Sequence, residues 1–229
     1  MIEKMPRLFP ALLLLPLLLP AQDSGDLRGR IEQERRAGRI AAMEPLLQQL
    51  LIKEEERLNS THIELIPALE QLAKTELALA KFDDAKGYYL RIVNITEIAN
   101  DANSPALLTP LANLVRLYHI AGKYEDAETV LLRKIAIRVK STGATHPDVA
   151  ADYNTLAKLY AAQSKFAQSA NVYGWALEIL EKNFGVEDPR LLTSLDGLAA
   201  NFRQDRQDAI VEEPLVRALA IREIGRAHV

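Results

Sequence analysis

Apolar and polar positions along the chain repeat with a period of 42 residues. The leucine at the centre of the pattern recurs in four copies, at Leu72, Leu114, Leu156 and Leu198. Aromatic residues follow at fixed distances from it, at Tyr118, Tyr160 and Phe202, and again at Phe82, Tyr124 and Phe166. A period of this length predicts an array of stacked helical units rather than one closed globule.

Each period contains two amphipathic helical segments. In the copy from His146 to Leu180, the first segment has residues at three- and four-residue spacing that form one stripe, at Tyr153, Leu156, Ala157 and Tyr160. The second segment continues the spacing at Phe166, Tyr173, Ala176, Leu177 and Leu180. One helix pair buries too little apolar surface to offset the entropy of ordering it, so neighbouring pairs must stack. The sequence therefore predicts an all-α fold.

The predicted start of each first helix carries a polar residue that suits an N-cap. Four such pairs occur at the repeat period, namely His62-Ile63, Ser104-Pro105, His146-Pro147 and Asp188-Pro189. Proline suits the position after the cap because the N–H that it lacks has no partner there. We expect a helix to begin at each of these pairs.

These motifs resemble a known repeat family. Gly143-Ala144-Thr145-His146-Pro147, Leu156-Ala157-Lys158-Leu159-Tyr160, Lys165-Phe166 and Ala176-Leu177-Glu178-Ile179 are similar to tetratricopeptide repeats of the 42-residue kinesin light chain type. The resemblance covers roughly residues 26–225 and implies a right-handed α-solenoid of about five helix hairpins. We place a diverged first repeat at residues 22–62, repeats 2 to 5 at 63–225, and the start of a truncated further repeat at 226–229.

The fifth copy departs from the pattern. Asp208 stands where the fourth copy has Phe166, and Glu-Glu-Pro-Leu at 212–215 indicates a shifted register. We expect a looser final hairpin with its apolar face partly open at Leu215, Leu219 and Ile221. That face predicts self-association or a missing C-terminal part.

The first 21 residues are typical of a secretory signal peptide. A short basic start precedes an apolar run at 8–19, and a Pro-Ala pair ends the segment at Ala21. The run is about 12 residues, whereas a membrane-spanning helix needs roughly 20. We predict a secreted or periplasmic protein that is cleaved after Ala21, with an uncleaved anchor as the alternative.

Composition argues against several classes of function. The formal charge of −3 gives no reason to expect a nucleic-acid partner, and the absence of cysteine excludes thiolate chemistry. His62 and His146 lie 84 residues apart, two repeats, so we interpret them as helix caps rather than ligands of one metal. The sequence shows no nucleophile elbow and no phosphate-binding loop. We expect no enzyme activity, no cofactor and no metal.

Polar residues beside the central leucines form the candidate binding site. In tetratricopeptide arrays the first helices line the concave groove. The resemblance therefore implies that the cationic and amide side chains beside the central leucines form a row along this groove, which we call the ladder. The predicted peptide-binding residues are Lys74, Asn113, Arg116, Asn154 and Lys158. The arrangement resembles carboxylate-clamp repeats, which hold an acidic peptide end. Alternatively these side chains are solvated helix surface, with Lys74 paired to Glu70 one turn away and Ala200 ending the ladder.

The function that this pattern favours is an exported, non-catalytic module that binds an acidic peptide or protein segment in its groove. Two alternatives stay open. The solenoid ends could assemble the chain into a cell-envelope complex, or the chain could be the interaction arm of a larger regulatory protein.

Overall fold

The computed structural model describes residues 24–204 and 208–227, with side chains from 25–204 and 211–226. These residues form ten α-helices. They are α1 (Ser24–Arg36), α2 (Ile40–Arg57), α3 (Ile66–Ala78), α4 (Phe82–Ala99), α5 (Leu108–Ile120), α6 (Tyr124–Thr142), α7 (Pro147–Ala162), α8 (Phe166–Phe184), α9 (Leu192–Gln204) and α10 (Asp208–Ala227). None of these helices is both long and apolar enough to cross a membrane.

Successive helices pack as hairpins, and the hairpins stack in a row. Each odd-numbered helix packs on the even-numbered helix that follows it, and each even-numbered helix packs on the first helix of the next hairpin. The predicted all-α, right-handed solenoid of five hairpins is therefore confirmed. The prediction of a signal peptide at 1–21 lies outside the described residues.

The predicted N-caps begin their helices as expected. The Nδ1 of His62 accepts from the Glu64 amide at 3.3 Å, and the Nδ1 of His146 accepts from the Asp148 amide at 3.2 Å. The side chains of Ser104 and Asp188 accept in the same way, at 3.2 and 2.9 Å. A 3₁₀ turn follows three of the four caps, at Ile63–Leu65, Pro105–Leu107 and Pro189–Leu191, whereas α7 begins directly at Pro147.

The central leucines occupy equivalent buried positions in three of the four copies. Leu72, Leu114 and Leu156 are at most 3% exposed, but Leu198 is only half-buried. The 42-residue period alone predicts equivalent buried positions for all four, and Leu198 departs from that prediction. The described residues place no hairpin over the outer side of α9 and α10, so Leu198 lacks the cover that the earlier leucines have. Ile40, the first residue of α2, is also exposed and borders a cavity beside Lys74 and Ala78.

The last hairpin partly matches its prediction. Leu219 is 54% exposed and Leu215 is half-buried, but Ile221 is 3% exposed, so its place on an open face was wrong. Ile221 instead takes the same buried position as Ile95, Ile137 and Ile179 in the earlier second helices. Helix α10 continues to Ala227, past the repeat boundary drawn at 225. The side chain of Asp208 lies outside the described residues.

Candidate functional site

A cavity of about 340 Å³ lies between the successive first helices α5 and α7, with α6 behind them. We call it the α5–α7 cavity. Its polar lining consists of Arg116, His119, Lys134, Thr155 and Lys158. Its apolar lining consists of Ala112, Val115, Leu131 and Leu159. The cavity thus combines several cationic groups with an apolar wall.

The repeat itself brings Arg116 and Lys158 together. Each stands two residues after a buried central leucine, Leu114 or Leu156, and so points away from the core. Stacking of adjacent hairpins then places both side chains at one cavity. Both are exposed, and within the described part of the chain neither forms a salt bridge. Their charges are therefore available to a ligand.

Lys134 adds a cation that sequence reasoning missed. It is 9% exposed, and its Nζ donates to Oδ1 of Asp152, which is 4% exposed. The Nε of Arg138 donates to the other oxygen of Asp152 at 2.6 Å, and its Nη1 donates to Asp148 at 2.9 Å. The two cations and two carboxylates form one network across the seam between α6 and α7.

A sequence signal for this network did exist. Lys134 interrupts an apolar position that the other second helices fill with Leu50, Ile92, Ala176 and Ala218. Asp152 interrupts the position of Ala68, Pro110 and Ser194. A buried cation and a buried carboxylate that break the pattern on adjacent helices are best explained as partners, because an unpaired buried charge is strongly unfavourable.

The α5–α7 cavity is electropositive. Among its described lining residues there is no carboxylate, and the Lys134–Arg138 pair is balanced by Asp148 and Asp152. Arg116 and Lys158 therefore leave two positive charges uncompensated beside a wall of low polarity. Such a site attracts an anionic group, and a partly enclosed site screens that attraction less than open solvent does.

Lys74 lies in a different place from these two cations. It lines a cavity of about 520 Å³ with Arg35, Glu70 and Gln71, formed by α1, α2 and α3. Its Nζ pairs with Oε2 of Glu70 at 3.1 Å, as the alternative interpretation of the sequence had it. The positive charge of Lys74, the first cation of the predicted ladder, is therefore balanced by Glu70.

The two predicted asparagines do not join the α5–α7 cavity. Asn154 is 8% exposed, and its Oδ1 accepts from the hydroxyl of Ser194 at 2.7 Å. This bond links α7 to α9. Asn154 stands two residues before the central Leu156, and that position faces the next hairpin rather than the groove. Asn113 is half-buried and does not line the cavity. Of the five predicted residues, the structure brings together Arg116 and Lys158.

The first and second hairpins line a third cavity, of about 400 Å³, with mixed charge. Arg28 pairs with Glu54 at 3.0 Å, and Arg35 pairs with Glu32 at 2.7 Å. These internal pairs leave less net charge for a ligand than the α5–α7 cavity offers. Across residues 24–204 and 208–227, no group of three or more His, Asp or Glu side chains could hold a metal ion.

The helices that form the α5–α7 cavity match a known repeat family. A family model described as tetratricopeptide repeat matches residues 106–182, which span α5 to α7 and all but the last two residues of α8. The fold is that of a tetratricopeptide repeat solenoid. A search of curated proteins gives no significant match.

Solved structures show the same architecture over most of the chain. A putative kinesin light chain from Podosopora anserina with nearly identical TPR-like repeats is 24% identical, with a TM-score of 0.72 over 88% of this chain and 97% of that one. BtubC (BKLC) from P. vanneervenii is 21% identical, with a TM-score of 0.68 over 88% and 80%. The MamA protein is 14% identical, with a TM-score of 0.59 over 87% and 92%. At these identities the likeness concerns the fold.

Proposed function

We propose that this protein is a non-catalytic interaction module that holds an acidic segment of a partner protein in its concave groove. The α5–α7 cavity is the principal contact. The observation that carries the proposal is the convergence of Arg116 and Lys158, one repeat apart, on one cavity with no carboxylate among its described lining residues. The tetratricopeptide fold supports the proposal because it suggests a protein–protein interaction module.

The cations alone are too weak to hold a partner. Exposed ion pairs contribute roughly 0–1 kcal/mol each, whereas a micromolar complex needs about 8 kcal/mol. The apolar wall of Ala112, Val115, Leu131 and Leu159 adds to the ion pairs by burying side chains next to the acidic group. The module therefore selects a segment in which acidic and apolar residues adjoin.

The other predicted residues take secondary roles in this proposal. Lys74 contributes when an acidic ligand displaces Glu70, which lies in the same cavity. Asn113 contacts the segment between the two cavities. Asn154 acts indirectly by fixing α7 against α9 through Ser194.

The test is charge reversal at Arg116→Glu with Lys158→Glu, followed by capture of proteins from an extract of the source organism at low salt, where screening is least. We expect the set of captured proteins to change. A matched control is Lys140→Glu with Lys182→Glu, which reverses two exposed lysines that are also one repeat apart but lie on second helices. Equal capture by both variants and the parent protein would refute the proposal.

We also propose that the protein is exported, because residues 1–21 have the composition of a signal peptide. Sequencing the N-terminus of the protein from its native host tests this. A mature chain that begins at Gln22 supports cleavage after Ala21, and a retained Met1 in a soluble fraction contradicts export.

A second candidate function is assembly through the last hairpin. In the four earlier second helices, the residue equivalent to Leu219 is covered by the next hairpin and is at most 8% exposed; these residues are Leu51, Val93, Ile135 and Leu177. At 54% exposure, Leu219 offers the same kind of contact to a further helix, for example from a second copy. Light scattering across protein concentrations tests this, with Leu219→Glu compared against Leu132→Glu, a change at an exposed leucine on α6. Loss of association in the first variant alone is the expected result, and a monomeric parent protein contradicts the candidate.

A further inference from the structure

The α5–α7 cavity holds more positive charge than one carboxylate balances. We propose that the group it binds is a phosphorylated side chain of the partner segment. This inference rests on the proposed function and specifies its ligand. It makes recognition dependent on phosphorylation of the partner.

Charge balance favours a dianion. Lys134 and Arg138 are matched by Asp148 and Asp152, so this network is neutral as a whole. Arg116 and Lys158 then leave two positive charges at the cavity. A carboxylate carries one negative charge, whereas a phosphate ester carries between about 1.5 and 2 at neutral pH. The phosphate ester therefore balances the cavity, and a carboxylate leaves it about one charge short.

The arrangement of donors also suits a tetrahedral group. Cationic residues line the cavity from three helices, with Arg116 on α5, Lys134 on α6 and Lys158 on α7. A phosphate ester presents three acceptor oxygens, and a carboxylate presents two in one plane. His119, on the same face of α5 as Arg116, adds a fourth nitrogen at the rim.

Lys134 is the residue that decides between the two ligands. One of its three donors is used by Asp152, and because the residue lines the cavity we assign the other two to the ligand. The buried pair with Asp152 holds the lysine in place before a ligand arrives, so little side-chain entropy is lost on binding. Arg116 and Lys158, by contrast, are exposed and must be ordered by the ligand.

The test uses three degenerate peptide libraries that differ only in the central residue: phosphoserine, glutamate or serine. Immobilised full-length protein is incubated with an equimolar mixture of them at low salt, and mass spectrometry measures what is recovered. We expect the phosphoserine library to be enriched about 10-fold over the glutamate library, which corresponds to about 1.4 kcal/mol. We expect the glutamate library in turn to exceed the serine library.

Lys134→Met separates the preference for phosphoserine over glutamate from the preference for an acidic residue over serine. This variant keeps Asp152 bonded to Arg138, and we expect it to bind phosphoserine and glutamate peptides equally while still favouring both over serine. Lys182→Met, at an exposed lysine on α8, is the control and should keep the full preference. If Lys134→Met fails to fold, Arg116→Gln with Lys158→Gln replaces it, and the phosphoserine enrichment should then be lost.

The outcomes distinguish this inference from the function on which it rests. Equal recovery of phosphoserine and glutamate libraries by the parent protein, both above serine, overturns the inference and leaves the acidic-segment function intact. Equal recovery of all three libraries overturns both. A phosphoserine preference that persists in the folded Lys134→Met variant overturns the role given to Lys134.

Discussion

The ring of Tyr173 on α8 lies directly against Gly197 on α9. A Cβ atom added to Gly197 would stand 2.2 Å from Cζ of Tyr173, far inside van der Waals contact, and Tyr173 is 3% exposed. One repeat earlier the same two positions hold Leu131 and Thr155. The contact between the fourth and fifth hairpins thus pairs a large side chain with a glycine, whereas the preceding contact pairs two side chains of medium size.

We therefore expect Gly197→Ala to destabilise the protein. Alanine ordinarily stabilises a helix interior relative to glycine by about 0.5–1 kcal/mol. Overpacking against the Tyr173 ring should reverse that sign and lower the free energy of unfolding by about 1–3 kcal/mol. Urea unfolding measures the effect.

Two variants control for this prediction. Gly174→Ala, in α8 where an added Cβ meets nothing within 4 Å, should raise the free energy of unfolding. Tyr173→Leu combined with Gly197→Ala should recover most of the loss caused by the alanine. A stabilising effect of Gly197→Ala alone would contradict the contact.

The turn between the two helices of a hairpin uses the left-handed backbone region at one fixed position. It is occupied by Gly38, Ala80, Gly122 and Ser164, with φ between 59° and 70°. A side chain in this region is unfavourable by about 1–2 kcal/mol. We expect Gly122→Ala to lower the free energy of unfolding by about 1 kcal/mol. Ser164→Gly removes the unfavourable side chain and should raise the free energy of unfolding, but only slightly, because glycine gains more entropy than serine when the chain unfolds.

Thermal unfolding of these variants is compared with that of Gly87→Ala. Gly87 lies within α4 with open space around it, and no left-handed φ is found there. That change should stabilise the protein. Equal effects of alanine at Gly87 and Gly122 would show that the turn does not require the left-handed conformation.

Glu76 occupies the position at which later repeats place Tyr118 and Tyr160. It is 2% exposed, and burial raises the pKa of its carboxyl above the ordinary 4.5, with the nearby Glu44 adding to the rise and Lys81 opposing it. The folded state therefore holds this proton more tightly than the unfolded state does. Stability from this group is present below the unfolded pKa and is lost as pH rises from about 4.5 through the raised folded value.

Glu76→Gln should remove this pH dependence. We expect the variant to gain stability relative to the parent protein as pH rises from 4.5 to 7, measured by urea unfolding at several pH values. Glu125→Gln, an exposed carboxylate in the first turn of α6, serves as the control and should not show the same trend. A difference between Glu76→Gln and its parent that stays constant across this range contradicts the raised pKa.

Arginine–glutamate pairs link successive second helices at the repeat period. They are Glu55–Arg91, Glu97–Arg133 and Glu181–Arg217. Arg91 and Arg133 also donate to the carbonyls of Ser60 and Ala102, at 2.7 and 2.9 Å. Between α6 and α8 the equivalent positions hold Val139 and Trp175, and Trp175 is 52% exposed with its ring 5.7 Å from that of Tyr153.

Restoring the pair at this seam should show coupling. Trp175→Arg alone loses the aromatic contact and should destabilise the protein by about 1 kcal/mol. Val139→Glu added to it should recover up to about 1 kcal/mol through the new ion pair. A double-mutant cycle in urea measures the coupling, and strict additivity of the two changes would contradict the equivalence of these positions.

The sequence was most informative where a residue's role repeats. The caps at His62 and His146, the buried leucines at 72, 114 and 156, and the meeting of Arg116 with Lys158 all follow from the 42-residue period, because equivalent positions take equivalent places in a stack. The pattern failed where one copy departs from it. Lys134 and Asp152 were missed because they place charges at positions that are uncharged in the other repeats. Asn154 was assigned to the groove although its partner is Ser194 on the next hairpin.

The most direct measurement of the central claim is site-specific photo-crosslinking to the partner segment. A photoreactive amino acid replaces Thr155, inside the α5–α7 cavity, or Leu132, on the exposed surface of α6. Each protein is irradiated with glutamate-rich peptides that also carry leucine. We predict adducts from position 155 that disappear when Arg116→Glu is added, and few from position 132. Adducts of equal yield at both positions, or adducts at 155 that survive the charge reversal, would contradict binding through this cavity.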